Sequence, residues 1–167
     1  MYIKWEKVGK VLITKFMLIL VLEQAQYGTN RRIIMLIGEY IHTIDEKNRV
    51  SMPAKFRKEF GKKIIITPGL GQCLFIFTIK EWKKVSKKLS NSDSDLSFLK
   101  ADQRSFNRYM FGRAVEVEFD SIGRILIPDF LKDRIGLVNS AAVVGVKDRV
   151  EVWSEKAWSE QKEIVEK

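Results

Sequence analysis

Two five-residue stretches carry the residue types best suited to recognition chemistry. Asp45-Glu46-Lys47-Asn48-Arg49 and Asp120-Ser121-Ile122-Gly123-Arg124 each place an acid and an arginine four residues apart. Across a tight turn, such positions are cross-strand neighbours, so the carboxylate can hold the guanidinium in one orientation. An oriented arginine donates two parallel hydrogen bonds to a guanine edge or to phosphate oxygens. Stapling of the hairpin is the plainer reading, worth about 0–1 kcal/mol for an exposed pair. The surroundings favour recognition: residues 45–63 hold seven basic and three acidic side chains, whereas the matching 120–138 holds three of each. The first stretch is therefore expected to face DNA, with Arg49 in a groove and Lys47, Lys55 and Arg57 on a common surface meeting phosphates. Arg124 is the counterpart of Arg49, and Asp45 and Asp120 are the supporting carboxylates.

Catalytic and metal chemistry find less support. The lone His42 alternates with Ile41 and Thr43 on a strand and has no evident nucleophile or second metal ligand. Cys73, the only cysteine, precedes apolar Leu74, Phe75 and Ile76 and is expected to be a buried apolar residue. A single cysteine also rules out an intrachain disulfide framework and fits a reducing compartment. Gly69-Leu70-Gly71 reads as a hairpin turn, since it lacks the third glycine and the Lys-Ser/Thr of phosphate loops. Asp93, Asp95 and Asp102 fit helix capping better than a metal cluster. No cofactor, metal or enzymatic activity is expected.

The positioning elements follow from an internal repeat. A shift of 75 pairs Asp45 with Asp120, Arg49 with Arg124, Pro53 with Pro128, Arg57 with Lys132 and Gly61 with Gly136. Apolar positions keep the register, Ile44 with Phe119, Phe56 with Leu131 and Phe60 with Ile135, and after one inserted residue Leu74 meets Val150 and Trp82 meets Trp158. Two copies are too few for a solenoid, which leaves a fused pseudo-dimer. Alternation predicts strands over Tyr40–Ile44 and Val115–Phe119. Asn48 and Gly123 suit the positive φ of a tight turn, and Val50–Met52 and Ile125–Ile127 form the return strands. Pro53 and Pro128 fit the first turn of a helix about two turns long, closed by Gly61 and Gly136. Two more strands per copy follow, Ile64–Thr67 and Leu74–Thr78, then Ala142–Val146 and Val150–Trp153. A helix is predicted near Trp82 and Trp158, each tryptophan anchoring it to the sheet.

The expected divisions are an extension over 1–34, a first repeat over 36–82, a helical connector over 83–112, a second repeat over 113–160 and a helix end over 161–167. In the connector, Asn91–Asp95 is a polar break before Leu96, Leu99, Phe106 and Met110 at helical spacing. Phe98, Phe106, Tyr109 and Phe111 suit either core or a subunit interface. The formal charge of +9 suits a polyanion, and nearly half of it, a net of +4, lies in residues 1–34. The apolar run from Val11 to Leu22 is interrupted by Lys15 and falls short of the roughly 20 residues that span a bilayer. That segment admits three readings: the front of a signal peptide, a stretch ahead of a true start at Met35, or an added helix.

The stretches GEYIHTIDEKNRVSMPAKFR, EFDSIGRILIPDFLKDRIGL and VEVWSEKAW, over residues 36 to about 160, resemble the MraZ family of bacterial transcriptional regulators. The resemblance implies a mainly β fold with short helices (α+β), two repeats similar to the AbrB-type swapped hairpin forming an intrachain pseudo-dimer. It further implies a ring-like homo-oligomer on double-stranded DNA, binding short repeated promoter sites of the cell-division and cell-wall gene cluster, usually as a repressor. Location in the cytoplasm on the nucleoid, without a membrane partner, goes with that. Asp45, Arg49, Asp120 and Arg124 occupy the family's motif positions, and residues 1–34 depart from its pattern. The alternative is a protein-interaction module such as an antitoxin, because one fold serves both uses.

Overall fold

The structure is a computed structural model that describes residues 35–90 and 101–165. The chain divides into two units, Met1–Ile33 and Ile34–Lys167, and the fold below is that of the second. The expectations for residues 1–34, for the break at Asn91–Asp95 and for Leu96, Phe98 and Leu99 lie outside the described residues.

The first repeat supplies β1 (Leu36–Thr43), β2 (Arg49–Ser51), α1 (Ala54–Arg57), β3 (Lys63–Pro68), β4 (Cys73–Thr78) and α2 (Ile79–Ser90). After α3 (Ala101–Met110), the second supplies β5 (Val115–Glu118), β6 (Arg124–Leu126), α4 (Asp129–Arg134), β7 (Ser140–Lys147), β8 (Arg149–Ser154) and α5 (Glu155–Val165). Element types and order follow the repeat pattern, with differences of detail. The helices α1 and α4 have only four and six residues, shorter than two turns, and α1 is capped at Lys58, ahead of Gly61, whereas Gly136 directly follows the α4 cap Ile135. Pro53 and Pro128 stand one position ahead of the helix, at the N-cap, with ψ of 135° and 145°. Their carbonyls accept the first helical N–H bonds, and the missing proline N–H lies where no helical bond is made. The outer helices begin at Ile79 and Glu155, three residues ahead of the tryptophans.

The strands exchange between repeats. All neighbours in the six-stranded sheet, of order β1-β7-β8-β4-β3-β5, are antiparallel. The first strand of each repeat therefore lies against the hairpin of the other, and exchanging the repeats reproduces the same order. A second sheet joins only β2 and β6, with Val50 opposite Ile125. The hairpins expected between β1 and β2 and between β5 and β6 are thus limited to their turns, plus a single bridge between Ile44 and Val50. This is the interleaving that the AbrB-type resemblance implies.

One core fills the space between the two sheets. Val50, Met52, Phe56 and Phe60 meet their repeat counterparts Ile125, Ile127, Leu131 and Ile135, all essentially without solvent contact. Burial of each such side chain contributes about 1.5–3 kcal/mol. On β7, a Cβ at Gly145 would lie 2.7 Å from the Ile37 nitrogen and from Phe56 Cζ, so only glycine lets β1 and Phe56 approach this closely. On the other face of the large sheet, Trp82 packs on Phe77 and Trp158 on Trp153, each with ring centroids 5.7 Å apart. These repeat-related pairs anchor α2 and α5 as expected. Cys73 is fully buried, and burial pushes its thiol up, away from reactivity.

In the connector, Phe106 and Met110 belong to the buried set, and Phe111 packs on Trp82 at 5.2 Å. Tyr109 donates to the Gly69 carbonyl at 2.6 Å and accepts from Arg134. These contacts place Phe106, Tyr109 and Phe111 within the packing of the chain itself.

Candidate nucleic-acid interface

Each Asp-x-x-x-Arg segment folds as the same turn. In the first, the Asn48 N–H donates to the Asp45 carbonyl at 2.9 Å and the Asp45 N–H to the Arg49 carbonyl at 3.1 Å. One carboxylate oxygen of Asp45 accepts the N–H groups of Lys47 and Arg49, both at 2.9 Å. The other accepts Arg49 Nε at 2.8 Å. In the second, Asp120 accepts Ile122 and Arg124 N–H at 3.1 and 2.8 Å on one oxygen, and Arg124 Nε at 2.7 Å on the other. Asn48 and Gly123 take the positive φ the turn requires, 59° and 83°. The aspartate is thus both the organiser of the turn and the fork that aims the arginine.

Tertiary structure brings the two turns together. Pairing of β2 with β6 sets them side by side, and Arg124 Nη1 reaches Asp45 at 3.2 Å while Arg49 Nη1 lies 3.9 Å from Asp120. Each turn is also tied to the other repeat: the Met52 N–H donates to the Gly123 carbonyl at 3.1 Å, and the Ile127 N–H to the Asn48 carbonyl at 2.9 Å. The arginine side chains remain 31% and 24% accessible, enough to present a guanidinium edge outward.

The predicted basic cluster divides differently. Lys47 and Arg49 stay on the first turn, and Asn48 Nδ2 donates to Asp129 at 2.5 Å. Arg57 lies instead on the second turn, where its Nη1 donates to the Ile122 carbonyl at 3.0 Å. Lys55, on the same short helix α1, is exposed. The expected common surface is therefore spread over both turns, because the strand exchange carries α1 of the first repeat to the turn of the second. No repeat signal marks Asp129 in the sequence, since its counterpart is Ala54.

The paired turns, one from each repeat, can be compared with known proteins. The family model described as "MraZ protein, putative antitoxin-like" matches twice, over residues 35–109 and 110–166. The chain belongs to the MraZ family. It is 45% identical over 126 residues to the transcriptional regulator MraZ of Caldanaerobacter subterraneus subsp. tengcongensis, covering 75% of this chain and 85% of the relative. The MraZ regulator of Moorella thermoacetica shares the same 45% over the same shares of both chains. That of Syntrophomonas wolfei is 41% identical over 129 residues, 77% of this chain and 87% of the relative.

Within this MraZ site, electrostatics reinforce the geometry. The Arg49 N–H, and after it the Arg49 guanidinium, hold the Asp45 carboxyl below its ordinary 3.8. Arg124 does the same for Asp120. A group whose pKa is lower folded than unfolded contributes stability that is complete above the unfolded value and disappears as pH falls through the folded one. The difference in thermal midpoint between the chain and its Asp45→Asn/Asp120→Asn variant is therefore expected to stay constant from pH 7 to about 5 and to shrink below about 4. A difference unchanged down to pH 2 would contradict these assignments.

Among the described residues, no group of three or more His, Cys, Asp or Glu is placed to hold a metal ion. Gly123 has a second role besides its φ, because a Cβ there would fall 1.9 Å from Arg57 Nη1. Gly123→Ala is expected to cost about 1–2 kcal/mol from the left-handed backbone alone and to displace Arg57, as chemical denaturation would show. Gly61→Ala, at a positive φ but with open space around the Cβ, should show the backbone cost without the displacement.

Proposed function

We propose that this chain is a sequence-specific DNA-binding transcriptional regulator. It acts in the cytoplasm, on the nucleoid, as a repressor of the cell-division and cell-wall gene cluster through short repeated promoter sites. The observation that carries this reading is the pairing of Arg49 and Arg124, each aimed by its own aspartate and partly accessible, with exposed Lys47, Lys55 and Arg57 around them. Two guanidiniums in fixed orientation on one surface suit base-edge recognition, and mobile lysines at the rim suit phosphates. The names of the relatives above as transcriptional regulators support it. A ring-like homo-oligomer would present many such pairs, and repeated sites on one DNA would then be bound as linked, intramolecular events.

The test is binding to DNA upstream of the chain's own coding sequence and to scrambled DNA of equal length, across a salt series. A preference for the upstream duplex is expected, with log affinity falling linearly with log salt by about 0.9 per phosphate contact. The antitoxin-like wording of the family description favours a second reading, a protein-binding module. Equal, weak binding to both duplexes would support that one.

A further inference from the structure

Two exposed apolar residues, one in the second turn and one on the strand that leaves it, have polar counterparts in the first repeat. Ile122, third residue of the second turn, is 62% exposed, and Leu126 is 49% exposed. Their repeat counterparts are Lys47 and Ser51, so neither position needs an apolar side chain for folding. Leu126 stands directly opposite Arg49 in the β2–β6 pair, and because Val50 and Ile125 point into the core, Arg49 and Leu126 share the outer face. Ile122 is two residues from Arg124, and its carbonyl is held by Arg57. Leu126 thus stands beside an arginine that Asp45 orients, and Ile122 carries the carbonyl that Arg57 binds; arginines at both positions suit a polyanion and not another apolar protein surface. On the major-groove edge of DNA the one apolar group is the C5-methyl of thymine.

We propose that Ile122 and Leu126 read thymine methyl groups next to the base contacted by Arg49, so that the two turns recognise different chemistry. This rests on the DNA-binding reading above. The first turn offers a lysine at its tip and the second an isoleucine, and the site they read together is therefore asymmetric.

Replacement of thymidine by deoxyuridine removes only the methyl. The probes are the upstream duplex, the same duplex with deoxyuridine throughout, and a scrambled duplex. The unaltered chain is expected to bind the thymidine duplex about fourfold more tightly for each methyl buried. The Ile122→Ser/Leu126→Ser variant should bind the two equally, and Ile122→Ser alone should lose part of the difference. Both positions are exposed, so the variants should keep the parent circular dichroism spectrum. Indifference of the parent to the methyl, while it still prefers upstream over scrambled DNA, would overturn this inference alone. So would a double variant of altered oligomeric size that keeps full methyl sensitivity, the mark of an interface between copies. No preference for upstream over scrambled DNA would instead overturn the DNA-binding reading itself.

Discussion

Arg49→Ala is expected to remove the preference for upstream over scrambled DNA while leaving the fold and the oligomeric size unchanged. A well-made bidentate arginine contact contributes about 1–3 kcal/mol of discrimination, a factor of about five to more than a hundred in relative affinity. Several copies bound to one DNA would multiply that factor. The fold should survive because Arg49 lies outside the core and Asp45 remains engaged by Arg124 and by backbone N–H groups. Arg49→Lys separates charge from geometry. It keeps the cation and most of the salt dependence, but a lysine cannot donate two parallel bonds, so the preference should fall nearly as far as with alanine. Electrophoretic mobility shifts on the two duplexes measure this. A variant that still prefers the upstream duplex by the parent ratio would remove Arg49 from the recognition surface.

Phe56→Ala carries the largest expected effect on stability, about 3–5 kcal/mol by urea unfolding. Phe56 is fully buried on the short α1, its ring edge-on to Tyr40 at 5.3 Å and close to the β7 backbone at Gly145. These neighbours are fixed by strand pairing, so collapse into the cavity is restricted. Against the 5–15 kcal/mol of a typical domain, such a loss endangers the interleaved pair of sheets as a whole. Because β2 and β6 carry the turns, DNA binding should fall with it. A cost below about 1 kcal/mol would mean that the α1 site relaxes freely and does not tie the repeats together.

The two effects differ in how far they can be foreseen from residues alone. Phe56 is recognisable as core because Leu131 recurs in the matching place, and the turn chemistry is recognisable because acid, positive-φ residue and arginine recur with it. The destination of Arg57 is not. Nearness in sequence sets it beside Lys47 and Arg49, yet its guanidinium serves the second turn, 65 residues away. Likewise Asn48 finds Asp129, for which the repeat carries no counterpart.

The sequence by itself determined the duplication, the order of the elements, the alternating faces of β1 and β5 and the local geometry of both turns. These rest on short-range physics: alternation specifies which face is buried, and a turn is closed by its own aspartate and its own positive-φ residue. Which strand pairs with which was decided by tertiary structure alone. An apolar face is satisfied equally by its own repeat or by the other, and only the complete interleaved core, with β1 on β7 and β5 on β3, settles the choice. That exchange is also what joins Arg49 with Arg124 and sets Leu126 beside Arg49, so this pair of turns exists only once both repeats have folded together.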